Sequence, residues 1–585
     1  MSGNDRKLLS LLILLVLLLA PAVTAQKKGS MKLLAVTETP AGIKGSAAEL
    51  HLEIKPGEGR VFMESSPASK IDTQISTRFA KEIACKYLEN NCDRYDFFYT
   101  IEAESSIIGG PSAGAAVTIL TISLLNDISL NQSVAITGTI NSGELIGPVG
   151  YLKEKINAAR QAGVKKVLVP IEREIIAEGN TTINLTDYGR KRGLEIVSVG
   201  TIDEALKEFT GKPPSKQRRE ITIHTSYTET MRHLAESLCQ RSSELQQRVE
   251  ETPNWNSSIW MEAVNATQDG WKFYNGERYY SAASYCFGSN VKYSLLLLEQ
   301  RNLSKEDIRQ LQEKTQETIN EQNRKTNTKE IQTITDLETF MVVKDRLIEA
   351  NDFLNLSKEA LEKDEEDALQ NLAFSIERIN SAISWNKFFD TKGKKFALEE
   401  KNLKRSCIDK IAEAEEHYQY LQLFFPNLLP NVRQDIERAY IDLARGNYAL
   451  CLSKATIAKA QVNTVLSSIG VDQENIGSLL ARKLAAAEKS IAEQTERDIF
   501  PILGYSYYEY ANSLKDDNPI SALLYAEYAL ELSNLDMYFP EYSFSLDIPV
   551  EEWANILIFV IGISIGFVIA KSVYERQRKK GKRRR

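Results

Sequence analysis

The sequence predicts an α+β domain on the N-terminal side, a long all-α region after it, and one membrane-crossing helix near the C-terminus. Three observations predict it. Residues 30–210 alternate strand-like and helix-like runs. Residues 225–545 are poor in proline, with apolar positions recurring at helical spacing. Residues 553–570 are uncharged and mostly apolar, close to the shortest span that crosses hydrocarbon. A chain of 585 residues exceeds what one hydrophobic core organises, so separate folded regions are required.

In the first region, strands are expected at MKLLAV (31–36), ELHLEI (49–54), RVFME (60–64), FFYTIEAE (97–104), SVAITGTI (133–140) and KKVLVP (165–170), with helices over 72–90, 112–125 and 153–162. The polar, Pro-containing stretch TGKPPSKQRRE makes residues 211–224 a linker. Within 225–545, four segments open a helix in similar style, with Ala282, Ala368, Ala449 and Ala522 aligned at spacings of 86, 81 and 73. Two helical stretches precede each, so the reading is four units of three helices. An irregular helical array with chance alanine matches is the alternative.

The six cysteines fit this register. Cys239 and Cys407 precede Ala282 and Ala449 by 43 and 42 residues, while Cys286 and Cys451 follow those alanines closely. Bridges Cys239–Cys286 and Cys407–Cys451 would then join the first and third helices of two units, and Cys85–Cys92 would staple a helix end to a loop.

Arg6-Lys7, the apolar run Leu8–Ala20 and the small residues of Val23-Thr24-Ala25 make residues 1–25 a secretory signal, the alternative being an uncleaved anchor. The tail, residues 571–585, carries nine Lys/Arg and one Glu, which leaves the rest of the chain at about −15. A body that acidic argues against nucleic-acid binding. Positive residues stay cytoplasmic. The expectation is a single-pass protein of the cell membrane, its body outside the cytoplasm and its tail inside. Seven Asn-x-Ser/Thr sequons are compatible with glycosylation there.

The chemistry concentrates in residues 109–170. Gly-Gly-Pro-Ser-Ala-Gly (109–114) runs into an apolar helix, which sets Ser112 at a helix N-terminus. Unsatisfied N–H groups and a positive dipole end there suit an alkoxide and an oxyanion. Serine needs a base. The four histidines (His51, His224, His233, His417) supply a Ser–His–Asp triad poorly: three lie in or beyond the linker, and His51 sits in an exposed-looking strand pattern. A buried, neutral lysine can serve instead. Lys155, beside the apolar Ile156 and Ala159, suits that role, while Lys153 should face solvent.

The order Ala135-Ile-Thr-Gly-Thr-Ile140, Gly143-Glu-Leu-Ile-Gly-Pro-Val-Gly150, Leu152-Lys-Glu-Lys155 and then the strand 164–170 resembles the proteolytic domain of the Lon protease family. With an anchor in place of the ATPase module, the layout resembles its membrane-anchored archaeal type. The resemblance implies an α+β Lon-type domain over 30–210, with Ser112 as nucleophile and Lys155, forty-three residues on, as base. It places the family's Thr on Thr137, with Gly110 and Ala113 as candidates for the oxyanion side. The sequence departs from the family at Gly109 and Thr139, where acids are usual, and Glu102 or Glu104 could orient the lysine instead.

No Gly-x4-Gly-Lys-Ser/Thr, HExxH or zinc-spaced Cys/His cluster occurs, so neither ATP, a metal nor another cofactor is expected. The partners expected are polypeptide substrates, the membrane and further copies of the chain, the last through Gly562 and Gly566 in the span. The function expected is an ATP-independent Ser–Lys endopeptidase acting on unfolded polypeptides outside the cytoplasmic membrane. The alternative is a non-catalytic scaffold with a helical binding module.

Overall fold

Strict alternation of apolar residues along the second strand sets the frame of the N-terminal domain: Leu50, Leu52 and Ile54 are buried, while Glu49, His51 and Glu53 are not. The computed structural model describes residues 27–540 except 41, 67, 69–70, 89–91, 104–110, 172–174, 179–180, 213–220, 222–224, 253–256, 390, 427, 469–470 and 472–475, together with isolated positions between 559 and 574. Strands β1 (Lys27–Thr39), β2 (Gly42–Pro56), β3 (Val61–Ser66) and β4 (Tyr95–Ala103) form a sheet in the order β1-β2-β4-β3, antiparallel except for the parallel β3–β4 pair. Helices α1 (Ile71–Tyr87) and α2 (Gly114–Leu125) share the hydrophobic core of its inner face.

A second, parallel sheet of order β11-β8-β5 is built from β5 (Val134–Ile136), β8 (Lys166–Pro170) and β11 (Glu195–Val199). In β5 and in β8 after Lys166 the residues are buried apolar ones in succession, as strands covered on both faces require, while the edge strand β11 exposes Glu195. Between β5 and β8 come the hairpin of β6 (Thr139–Asn141) and β7 (Leu145–Gly147), then helix α3 (Leu152–Gln161). Strands β9 (Ile175–Glu178) and β10 (Thr181–Asn184) pair with each other, and helices α4 (Leu185–Arg190) and α5 (Ile202–Thr210) complete the domain. The expected strand 133–140 is therefore two strands. The chain breaks at Gly138, whose backbone turns to the serine turn, and a Cβ there would collide with Ile146.

Among the described residues from 225 to 540 there are twelve α-helices: α6 (Thr225–Glu250), α7 (Ser258–Asn275), α8 (Tyr279–Glu299), α9 (Lys305–Asn327), α10 (Ile334–Ala360), α11 (Glu365–Trp385), α12 (Glu400–Phe424), α13 (Pro430–Ala444), α14 (Tyr448–Ser468), α15 (Ile476–Glu496), α16 (Ile502–Leu514) and α17 (Pro519–Leu532). They fall into four consecutive triplets, with Ala282, Ala368, Ala449 and Ala522 buried near the start of each third helix. Small side chains there let the third helix lie close against its neighbours. The disulfides are Cys85–Cys92, Cys239–Cys286 and Cys407–Cys451, the last two joining α6 to α8 and α12 to α14. A Cβ on Gly270 of α7 would collide with the Cys286 sulfur, so the first triplet closes around its bridge.

Residues 1–25, expected as a signal sequence, most of 553–570 and most of the basic tail lie outside the described residues. The described positions there, among them Phe559, Ile563, Phe567 and Ile569, are helical and exposed. Among the described residues no helix is long and apolar enough to cross a membrane.

The Cys239–Cys286 bridge closes a separation of 47 residues. Replacing both cysteines with alanine is expected to lower stability by roughly 3–4 kcal/mol, as chain entropy returns to the unfolded state. A denaturant titration of the double variant against the parent checks this.

Candidate active site

Pro111–Ala113 form a single 3-10 turn that leads straight into α2, whose residues from Gly114 to Ser123 are all buried. Ser112 is half-buried. Its carbonyl accepts a hydrogen bond from the Gly138 N–H at 3.1 Å, and the Ala115 N–H donates to the Gly138 carbonyl at 3.0 Å. A Cβ on Gly114 would come within 3.1 Å of Ile140, so glycine lets the start of α2 lie against β6.

Lys155 comes from the other side. Leu152, Lys155, Ile156, Ala158 and Ala159 form the buried stripe of α3. This helix reaches the first sheet because β2 offers Gly45, where any Cβ would collide with the Glu154 carbonyl. Lys155 is 3% exposed, and its Nζ donates to Thr137 Oγ1 at 3.1 Å. Among the described residues no carboxylate forms an ion pair with it. Burial alone, which disfavours the charged form, lowers its pKa to about 7.

The dipeptide Thr137–Gly138 thus ties the two halves together. Thr137 holds the lysine through Oγ1, and Gly138 holds the serine turn through its N–H. Thr137 is fully buried and fixed by its own N–H bond to the Leu168 carbonyl on β8. A buried neutral amine and a hydroxyl at a helix N-terminus are the parts a serine acyl-transfer site needs.

Residues 72–211 match the family model described as the Lon protease (S16) C-terminal proteolytic domain. This stretch is a Lon-type proteolytic domain. Curated relatives agree over the same region. Lon protease 2 of Bacillus subtilis (strain 168) is 36% identical over 111 residues, 19% of this chain and 18% of that protein. The Lon protease of Azospirillum brasilense is 32% identical over 157 residues, 26% of this chain and 18% of the relative. That of Rickettsia conorii is 35% identical over 138 residues, 23% and 17%. The chain therefore spans under a fifth of the length of these proteins. The matches support a serine-type peptidase. The family match begins at α1, yet β1–β3 are paired into the same sheet as β4, so the Lon-type domain carries them as an integral part.

Of the other residues singled out in the sequence, Ala113 sits in the serine turn, while Gly109, Gly110, Glu104 and His224 lie outside the described residues. Glu102 is exposed near the end of β4. Lys153 is half-buried, where solvent exposure was expected. His51 is half-buried in mid-strand between Ser30 of β1 and Thr100 of β4. His417, which the sequence places beyond the linker, is brought to the neighbourhood of the serine turn. On α12, far along the chain, it lines a small cavity together with Pro111, the neighbour of Ser112. Burial, aided by Lys459, lowers its pKa to about 4, and its Nδ1 is bonded to Asn463 Oδ1. Tyr420 of the same helix accepts a hydrogen bond from the Gly150 N–H at 2.8 Å. Neither contact has a signal in the local sequence.

A lysine whose folded pKa is lowered binds its proton more weakly in the folded state, so the protein is penalised below pH 7 and the penalty fades as pH rises towards the usual lysine value. Lys155→Met is expected to raise stability by roughly 2–4 kcal/mol at pH 6 and by less at pH 9. Denaturation midpoints at the two pH values check the sign.

Proposed function

We propose that the chain is a serine endopeptidase working through a Ser112–Lys155 dyad, held to a membrane by residues 553–570, and cutting unfolded or flexible polypeptides outside the cytoplasm without ATP. The observation that carries this reading is the buried, carboxylate-free amine of Lys155, joined through Thr137–Gly138 to the serine turn.

In the reaction, neutral Lys155 takes the Ser112 proton as Oγ attacks the scissile carbonyl. The developing oxyanion faces N–H groups at the start of α2, with Gly110 and Ala113 as the donors of choice. The ammonium then gives its proton to the leaving amine, and the acyl-enzyme is released when Lys155 deprotonates a water. Thr137 holds the amine at this station throughout. A scaffold role would not require an amine to be kept dry at a stability penalty.

The full chain in detergent is expected to degrade β-casein without nucleotide. Ser112→Ala and Lys155→Arg should lower the rate by a factor of about 10³ or more, and Lys153→Ala by only a few fold. Activity should rise with pH through about 7, as Lys155 loses its proton, and then level off. Casein left intact by the parent chain, or a Lys155→Arg variant with near-parent activity, overturns the dyad. For topology, protease added to intact cells should digest the helical region and spare an epitope on 571–585; the opposite protection overturns the outward orientation.

A further inference from the structure

The β6–β7 hairpin holds features that the dyad does not use. Asn141 is 6% exposed, yet among the described residues its Oδ1 has no hydrogen-bond partner, and neither has Ser142 Oγ, in a residue 2% exposed. Buried polar atoms are nearly always paired, so two orphans in succession call for a cause. The backbone is strained beside them: Glu144, a non-glycine residue, has φ +63°. That strain is held from outside the Lon-type domain, since Lys489 of α15 pairs with the Glu144 carboxylate.

The hairpin also separates two cavities. One is the small cavity of His417 and Pro111 beside the serine turn. The other, of about 240 Å³, opens between the hairpin and α15, with Leu145, Ile146, Leu479 and Ala486 among its walls. Asn141 and Pro148 line both. A Cβ on Gly147 would collide with Thr139 Oγ1 and Asn141 Nδ2, so glycine is what allows the Asn141 amide to stand in this wall.

We propose that Asn141 is a substrate-positioning residue, its Oδ1 accepting a backbone N–H of a polypeptide laid along the β6–β7 hairpin, and that the larger cavity takes an apolar side chain of that polypeptide. The inference rests on the endopeptidase reading and adds its substrate subsite. The site is composite: the Lon-type domain supplies the amide, and α15 of the helical region supplies the far wall. Only an extended segment fits such a subsite, because a peptide N–H must reach Asn141 while its neighbouring side chain enters between hairpin and helix. The orphaned oxygen and the strained turn are accounted for together, as a recognition element whose partner arrives with the substrate.

The test uses the full chain in detergent, first as Ser112→Ala, with fluorescein-labelled β-casein followed by anisotropy. Adding Asn141→Ala is expected to weaken binding about tenfold, and Asn141→Asp, which keeps an acceptor, to weaken it less. In the Ser112 enzyme, Asn141→Ala should raise KM about tenfold with kcat within a few fold and the pH profile unmoved. Ala485→Trp, from an exposed position lining the larger cavity, should raise KM in the same way and remains a test if Asn141→Ala fails to fold. Unaltered casein binding and KM in Asn141→Ala, or in Ala485→Trp, overturns the subsite. So does a loss confined to kcat or a shifted pH profile, which would make Asn141 part of the dyad's surroundings. A parent chain that binds casein without cutting it refutes the endopeptidase reading and leaves the binding arm to judge the subsite.

Discussion

An amine kept out of water, with no ion-pair partner among the described residues, is the constraint around which the Lon-type domain is arranged. Among those residues the Lys155 amine bonds a threonine hydroxyl, and a carboxylate in contact would hold it charged. Its neutrality therefore depends on dryness, and dryness depends on packing. Leu152 and Ile156 flank it on α3 and share a core with Leu34, Ala135 and Val149. The close approach at Gly45 brings that helix onto the first sheet. The same buried segment, β5 to β6, must also present Gly138 to the serine turn. This is why the strand breaks there instead of continuing.

The helical region that packs against this arrangement carries a buried charge network of its own. Between α12, α14 and α17, Lys410 and Lys459 are wholly buried with Glu413 and Glu531. Burial works to raise the Glu531 carboxyl, but the two lysines outweigh it and hold the pKa at about 2. Lys459 also sits 4.0 Å over the ring of Phe79 on α1, and Asn463 links Glu531 to His417 at the small cavity. Such a network adds little net stability, since desolvation offsets most of the Coulombic gain. What it demands is register. Sliding α12 past α14 and α17 would strand a buried charge, and sliding it along α1 would pull Tyr420 away from Gly150 at the start of the lysine helix.

This division explains what the sequence disclosed. The Lon-type motif order, the long helical region and the three bridges were legible because each is a local or periodic pattern: motifs in sequence, apolar stripes, cysteines at fixed offsets from repeated alanines. The elements between Ile175 and Val199 were not, because short strands of mixed composition carry no clear period. His417, Tyr420 and Asn141 were illegible for a stronger reason. Two of them act across some 270 residues of chain, and a lone His or Tyr on a helix is indistinguishable from core until the partner surface is placed. Asn141 is marked only by a hydrogen bond it fails to make, which no spacing can reveal.

A site walled in this way has a consequence for what it can cut. The walls near Ser112 come from two regions joined by the Gly150–Tyr420 hydrogen bond and the Lys489–Glu144 ion pair, so loosening one of them to admit a folded substrate would break these contacts. Under the endopeptidase reading, the unfolding then happens in the substrate itself. The chain's 585 residues hold no phosphate-binding Gly-x4-Gly-Lys-Ser/Thr loop with which to drive it. A typical domain, stable by some 5–15 kcal/mol, exposes an extended segment only in a minute fraction of molecules. A damaged chain or a flexible tail exposes one continuously. Under the endopeptidase reading, selection between intact and damaged proteins then follows from substrate stability alone. Each 1.4 kcal/mol lost by a substrate raises its cleavable population about tenfold, with no further recognition element required.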